Sequence, residues 1–256
     1  MLNVTKYDYN RAVAELRDAV FKDKPQYLNE LLSQDLYKRL INTAFGWCNP
    51  ITYLHLAANN GFIQCIQILL ANGADVDRIN AAYETPLYSA VHAGHFDCVE
   101  ELLKAGANPS GNSYTSPVVI ASCMGKANIL KKLLEYGAAA NLKTKIPIVR
   151  RKVSSSDPLY LSALNDNLEC FKMLLLYGAD PDYNCIDNKL MKQSSSVIEF
   201  CLLHHCKTAF VKLLIDFGAN IYLPGIDIQF GRSDLNKETE ELILRERGNL
   251  RLSKSN

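Results

Sequence analysis

No apolar run in the sequence approaches the roughly 18 to 20 residues needed to cross a bilayer. The longest candidates are broken by charge or glycine within a few turns. The opening stretch MLNVTKYDYNRAVAELRDAVFKDK carries charges every few positions and lacks the continuous apolar core of a secretory signal. Charge of one sign is missing too: 28 basic residues face 27 acidic ones, for a net charge of +1. That balance leaves no field able to hold nucleic acid or an anionic membrane by bulk electrostatics. An intracellular protein, cytoplasmic or nuclear, is expected, with neither nucleic acid nor membrane among its partners. The eight cysteines then read as reduced thiols rather than a disulfide framework. Asn3-Val4-Thr5 carries no glycan meaning outside the secretory route. Disorder is excluded as well, because 48% of the residues are hydrophobic and only 21% are charged.

What the sequence does have is internal repetition. ITYLHLAANNGFIQCIQILLANGADVD, starting at Ile51, is followed 33 residues later by ETPLYSAVHAGHFDCVEELLKAGANPS, starting at Glu84. Gly73, Gly106, Gly137, Gly178 and Gly218 each precede alanine, at successive spacings of 33, 31, 41 and 40. Thr85-Pro86 begins a helix: threonine satisfies orphan amides, and proline in the first turn lacks only an N–H that has no helical partner. Gly61, Gly94 and Gly125 permit a turn to a second helix, while Ala57, Ala58, Ala90 and Ala163 allow close packing. The pairs Leu69-Leu70, Leu102-Leu103, Leu133-Leu134 and Leu174-Leu175 form the inward stripe of that second helix.

A period near 33 with these elements resembles the ankyrin repeat. The fold class expected is therefore all-α, an ankyrin-repeat solenoid of stacked helix-turn-helix units joined by hairpin loops. Five repeats are expected over 51–224, at roughly 51–83, 84–114, 115–156, 157–195 and 196–224. Residues 1–50 read as an N-terminal helical cap or degenerate repeat, with two helices broken near Lys24-Pro25, and 225–256 as a C-terminal segment. The two long spacings imply insertions near 141–157 and 182–196. Both are expected as exposed loops. The first holds the basic residues Lys143, Lys145, Arg150, Arg151 and Lys152, followed by Ser154–Ser156, where either a solvated loop or an electrostatic or phosphorylated contact is open. Cys65, Cys98 and Cys170 share one second-helix position and are expected in the core as small hydrophobes.

Chemistry has little to build on, and no catalytic residue, cofactor or metal is expected. Cys201, His204, His205 and Cys206 offer thiols and imidazoles within six residues. Zinc ligands usually come as pairs from separate elements, and four groups on barely two helical turns do not complete a tetrahedron. Gly125-Lys126 lacks the glycine spacing and the following Ser or Thr of a phosphate loop. His55 holds the position at which an imidazole bridges repeats by hydrogen bonds.

Binding residues are expected where such a stack meets a partner, at the first-helix ends and the hairpin tips. Aligned repeats put Asn59-Asn60, His92-Ala93, Cys123-Met124 and Leu164-Asn165 at exposed first-helix ends. Tyr83 and Tyr114 share a hairpin-tip position usually held by glycine, so each ring either packs between adjacent fingers or faces a ligand. The candidate partner-binding residues are Asn59, Asn60, Tyr83, His92, Tyr114, Met124 and Asn165.

CFKMLLLYGADPDYNC at 170–185 and FVKLLIDFGANIYLP at 210–224, with the insertion positions, resemble the ankyrin-repeat and SOCS-box family more narrowly. That resemblance implies a substrate receptor: the repeats hold a target, and a C-terminal SOCS box recruits elongin B, elongin C and a cullin as a ubiquitin ligase. The box opens with a helix of the form Leu-x-x-x-Cys, followed by a proline-rich stretch. Here a helix expected over Lys237–Arg247 and the segment Asn249–Leu252 resemble only the lead-in to it, and no cysteine follows Cys206. A missing or truncated box is the expectation. The alternative function is a stand-alone scaffold or competitor that binds its target without recruiting a ligase.

Overall fold

A computed structural model describes residues 6–46, 49–141, 157–182, 196–230 and 236–253. Among them the chain is helical, with no named strand; Phe45 and Ile51 form an isolated antiparallel bridge. Two compact units, residues 1–120 with 131–138 and residues 121–130 with 139–256, are described in turn.

The first unit opens with α1 (Lys6–Phe21), α2 (Pro25–Leu32) and α3 (Asp35–Leu40), and α1 packs on α2, α3 and α4. Leu16, Leu28 and Leu32 fill its core. The Tyr53 hydroxyl on α4 (Tyr53–Asn60) reaches the Val13 carbonyl at 3.4 Å. Next come α5 (Ile63–Ala71), α6 (Pro86–Ala93) and α7 (Phe96–Lys104), with α4 stacked on α6 and α5 on α7. One repeat cannot cover its own apolar faces, so the neighbour supplies the other wall of the core.

The third helical pair is α8 (Pro117–Cys123) and α9 (Ala127–Glu135). The second unit continues with α10 (Pro158–Leu164), α11 (Leu168–Leu176), α12 (Val197–Leu203) and α13 (Thr208–Asp216). Here α10 packs on α12 and α11 on α13. Phe171 and Phe210, both fully buried, meet edge to face at 5.0 Å, and Tyr160 meets Phe200 likewise at 4.8 Å. The short α14 (Pro224–Gln229) packs on α12, and α15 (Lys237–Ser253) on α13.

A single device starts each first helix. Thr52, Thr85, Ser116, Asp157 and Ser196 are all buried just before a first helix. Thr85 Oγ1 accepts from the Tyr88 N–H at 3.1 Å, and Asp157 Oδ1 from the Leu159 N–H at 2.8 Å. Ser196 and Glu199 cap each other's backbone reciprocally. The turn to the second helix needs a left-handed residue, supplied by Gly61, Gly94 and Gly125 at φ 79°, 92° and 70°. In the last two pairs the same position is held by Asp166 (φ 59°) and His205 (φ 54°).

The expected insertion loops, including Lys143–Lys152 and Ser154–Ser156, lie outside the described residues apart from their ends. Those ends are pinned: the Asp180 N–H donates to Asn141 Oδ1 at 3.1 Å, and the Asn220 N–H to Asp182 Oδ1 at 2.7 Å. At the C-terminus the helix expected to stop at Arg247 runs on to Ser253. Gly248 sits inside it at a cost of about 1 kcal/mol relative to alanine, and the preceding turn is held down by tertiary contacts. Arg247 Nε donates to the Ile221 carbonyl at 2.8 Å, its guanidinium pairs with Asp227 at 2.6 Å, and it lies over the rings of Tyr222 and Phe230 at 5.6 and 5.2 Å. Ile243 is fully buried, and Thr239 Oγ1 shares a 2.9 Å hydrogen bond with Thr208 Oγ1.

Candidate partner-binding surface

The positions singled out from the repeat register divide between the two units. In the first unit, Asn59 and Asn60 end α4 and are exposed, but their polar groups are partly used. The Asn60 amide donates back to the Leu56 carbonyl at 2.7 Å, and the Asn59 carbonyl pairs with His95 Nε2 at 3.1 Å. His95 also lies against Gly61, where an added Cβ would sit 2.7 Å from its Nδ1. His92, near the end of α6, is exposed and stacks over Tyr88 with ring centroids 6.3 Å apart. In the second unit Met124 is 44% exposed. Asn165 departs from expectation. It is half-buried: its amide donates to the Leu161 carbonyl at 2.7 Å, as Asn60 does to Leu56, and in addition lies against the Cys123 sulfur at 3.6 Å. An asparagine at this position finds a helix carbonyl four residues back, a local bond that competes with facing a partner.

Tyr83 and Tyr114 resolve the choice between packing and exposure by doing both. Their rings stack on each other at 4.3 Å with 26° between planes, yet 44% of one residue and 43% of the other remain accessible. The backbone beneath explains the register. In the first hairpin tip, Asn80 Oδ1 accepts from the N–H groups of Ala82 and Glu84, and Tyr83 itself takes the left-handed conformation at φ 62°. In the second, Asn112 Oδ1 accepts from Tyr114 and Thr115, and the left-handed residue is Gly111 at φ 77°. The two tips are joined: Asn112 Nδ2 and Thr115 Oγ1 both donate to the Tyr83 carbonyl, at 2.8 and 2.7 Å. An aromatic platform is thereby held rigidly, with about half of its surface facing water.

His55 shows the bridging role expected of it. It is buried, its Nδ1 lies 2.8 Å from Thr52 Oγ1, and its Nε2 lies 2.9 Å from the Glu84 carbonyl of the next repeat. Nε2 therefore carries the hydrogen and Nδ1 accepts from threonine. Burial pushes its pKa below the ordinary 6.5, outweighing the opposing pull of the Glu84 carbonyl. Cys65, Cys98 and Cys170 are all buried, and burial drives their thiols up to about 12, 11 and 11 respectively. These three belong to the core.

The sequence reading missed the residues that fasten the chain's C-terminal helix. Arg247 anchors α15 through two carbonyl-directed bonds, an ion pair and two rings. No repeat periodicity reaches this position, and Arg247 is one of three arginines in a polar helix, so the sequence does not single it out.

Comparison with known proteins agrees with the repeat geometry. A family model described as ankyrin repeats in three copies matches residues 16–113, and one described as ankyrin repeat matches 156–187. Mouse ankyrin repeat and SOCS box protein 12 is 48% identical over 83% of this chain and 71% of its own length. Human ankyrin repeat and SOCS box protein 1 is 39% identical over 81% of this chain and 67% of its own. The crystal structure of the human ASB11 ankyrin repeat domain superposes with a TM-score of 0.65, at 23% identity, over 90% of this chain and 96% of that one, a likeness of fold. With its repeats in this register and nearly half its residues shared with such a relative over most of both chains, the protein belongs to the ankyrin repeat and SOCS box family.

Proposed function

We propose that this protein is a non-enzymatic binding module that holds a target protein on its first-helix ends and hairpin tips. The observation that carries the reading is the Tyr83–Tyr114 platform. Its two tyrosines keep more than two-fifths of their surface accessible, and rigid, amphipathic rings are the side chains that anchor protein interfaces. Asn59, Asn60, His92 and Met124 extend the exposed set in their respective units, and Asn165 contributes through its uncovered part. Residues 1–50 act as a degenerate repeat that shields the apolar end of α4, with 51–224 as the working repeats.

Within this reading the repeats are the substrate-recognition part of a cullin-type ubiquitin ligase in an intracellular setting, with coupling to elongin B and elongin C assigned to a SOCS box and not to α15. Its α15 is fastened to the repeats and is not read as the elongin-docking helix: Ile243 is buried and Arg247 is clamped to Ile221 and Asp227, which leaves Leu244 as the exposed large apolar side chain among its described residues. Helix-in-groove docking needs free apolar anchors. Calorimetric titration of elongin B–elongin C into residues 1–256 tests this. No heat at micromolar protein is expected, and one-to-one binding restored when a relative's SOCS box is appended. Binding by residues 1–256 alone, lost on substitution in α15, would contradict it.

A further inference from the structure

The segment Cys201–Cys206 closes the first helix of the last pair, with Cys201 in the core and His204, His205 and Cys206 in the turn, and the repeat pattern does not require two cysteines there. Cys201 lies in the last turn of α12 and is 1% exposed, whereas Cys206 lies in the turn that follows the helix and is half-buried. His205, at φ 54°, turns the chain back so that the Cys206 N–H donates to the Cys201 carbonyl at 2.9 Å. This closure is the hydrogen bond that ends a helix across six residues. It brings the two cysteines, five residues apart in sequence, to one side of the turn, where each thiol is within the electrostatic reach of the other. The Cys206 thiol in turn points at the Ala163 carbonyl, 3.7 Å away on the preceding helical pair.

We propose that Cys201 and Cys206 are a redox-active dithiol that a hydroperoxide converts reversibly to a disulfide. Cys206, the more accessible sulfur, is the attacking group. As thiolate it displaces hydroxide from hydrogen peroxide, forming a sulfur–oxygen bond as the oxygen–oxygen bond breaks, and becomes a sulfenic acid. The Cys201 sulfur then attacks Cys206, its proton leaves with the sulfenic oxygen as water, and the S–S bond forms. Two thiols and one peroxide give one disulfide and two waters. A sulfenic acid beside a resolving thiol follows this route in preference to further oxidation.

The electrostatics fit this division of labour. The neighbouring Cys201 thiol holds Cys206 below the ordinary thiol value, against the burial and the Asp166 charge that oppose it. The same pairing and full burial push Cys201 up, as befits the partner that stays protonated until it attacks. Cys65, Cys98 and Cys170 lack this arrangement: burial raises all three, and Cys65 donates instead to Asp23 at 3.4 Å. Oxidation has a structural consequence as well. A disulfide sulfur carries no hydrogen, so the contact with Ala163 loses its donor, while the ion pair from Lys207 to Asp166 still holds the turn. The change falls beside Asn165.

The test uses the intact chain. Both cysteines fall in one tryptic peptide, residues 193–207. After brief exposure to hydrogen peroxide, denaturation, alkylation with iodoacetamide and digestion, mass spectrometry should show this peptide lighter by two hydrogens and without alkyl groups. Dithiothreitol should restore both labels, and at the same exposure Cys65, Cys98 and Cys170 should still alkylate as free thiols. In Cys201→Ala, Cys206 should stop at the sulfenic acid and be trapped by dimedone, while Cys206→Ser should leave Cys201 unoxidised. Two free thiols in peptide 193–207 when the other cysteines have already reacted would overturn the proposal. So would a disulfide from Cys206 to any other cysteine, or equal dimedone capture by wild type and Cys201→Ala.

Discussion

Removing the tyrosine platform separates its stabilising role from its binding role. With centroids 4.3 Å apart and 26° between planes, the rings of Tyr83 and Tyr114 make an offset-stacked pair. Such pairs contribute about 0.5–1.5 kcal/mol beyond area burial. Each residue is a little over half buried, so the single changes Tyr83→Ala and Tyr114→Ala should each cost about 1–2 kcal/mol. Because the rings share one contact, the double variant should fall short of the sum by about 0.5–1.5 kcal/mol. Tyr83 also sits at φ 62°, which costs a side-chain-bearing residue roughly 1–2 kcal/mol. Tyr83→Gly loses the ring but relieves that strain, so it should lie close to wild type and above Tyr83→Ala. Urea titration of the four variants measures all of this. A coupling energy below about 0.3 kcal/mol, within the scatter of independent sites, would refute the stack, and Tyr83→Gly no more stable than Tyr83→Ala would refute the strain.

Two further outcomes follow from the turns and from His55. His205→Gly should stabilise the chain by about 1 kcal/mol, since glycine takes the left-handed turn without steric cost; a lower urea midpoint would show that His205 contributes contacts worth more than its strain. Neutral His55 is the bonded form, and its folded pKa lies below the unfolded 6.5. Its contribution is therefore fully present above about pH 6.5 and is lost as pH falls through the folded pKa. Denaturant stability should drop between about pH 7.5 and pH 5 by less in His55→Gln than in wild type, and an equal drop would remove His55 as the cause.

How much of this was legible in the sequence depends on what repeats. The helical pairs, the closing glycines and the core cysteines recur at a period near 33, so alignment of the chain with itself located them. Only the Thr85 cap was read directly, yet Ser116, Asp157 and Ser196 do the same work with different side chains. Their common chemistry, a buried side-chain acceptor one residue before the helix, is visible only after the register is known. Asp166 and His205 hid the turn glycine, because the backbone demand can be met at some strain by residues that tolerate φ above zero. The candidate positions were half legible: register found Tyr83 and Tyr114, but the stack between them depends on Asn112 and Thr115 reaching the Tyr83 carbonyl. Asn165 is less exposed than expected because its amide lies against the Cys123 sulfur of the preceding pair, a contact the register does not reveal. The length of α15 was underestimated because Gly248 reads as a helix end, whereas the helix continues past it from a turn fastened by Arg247.

The central claim is that the hairpin tips and first-helix ends hold a protein target. The most direct measurement is quantitative affinity capture from cell extract with three purified, equally folded baits. These are wild type, a surface variant combining Tyr83→Ala, Tyr114→Ala and His92→Ala, and a control variant with Lys104→Ala and Lys131→Ala on exposed second-helix positions. Proteins retained by wild type and by the control but depleted at least tenfold, about 1.4 kcal/mol, on the surface variant are the predicted result. Equal capture of every specific protein by all three baits, with the surface variant folded, would contradict the account.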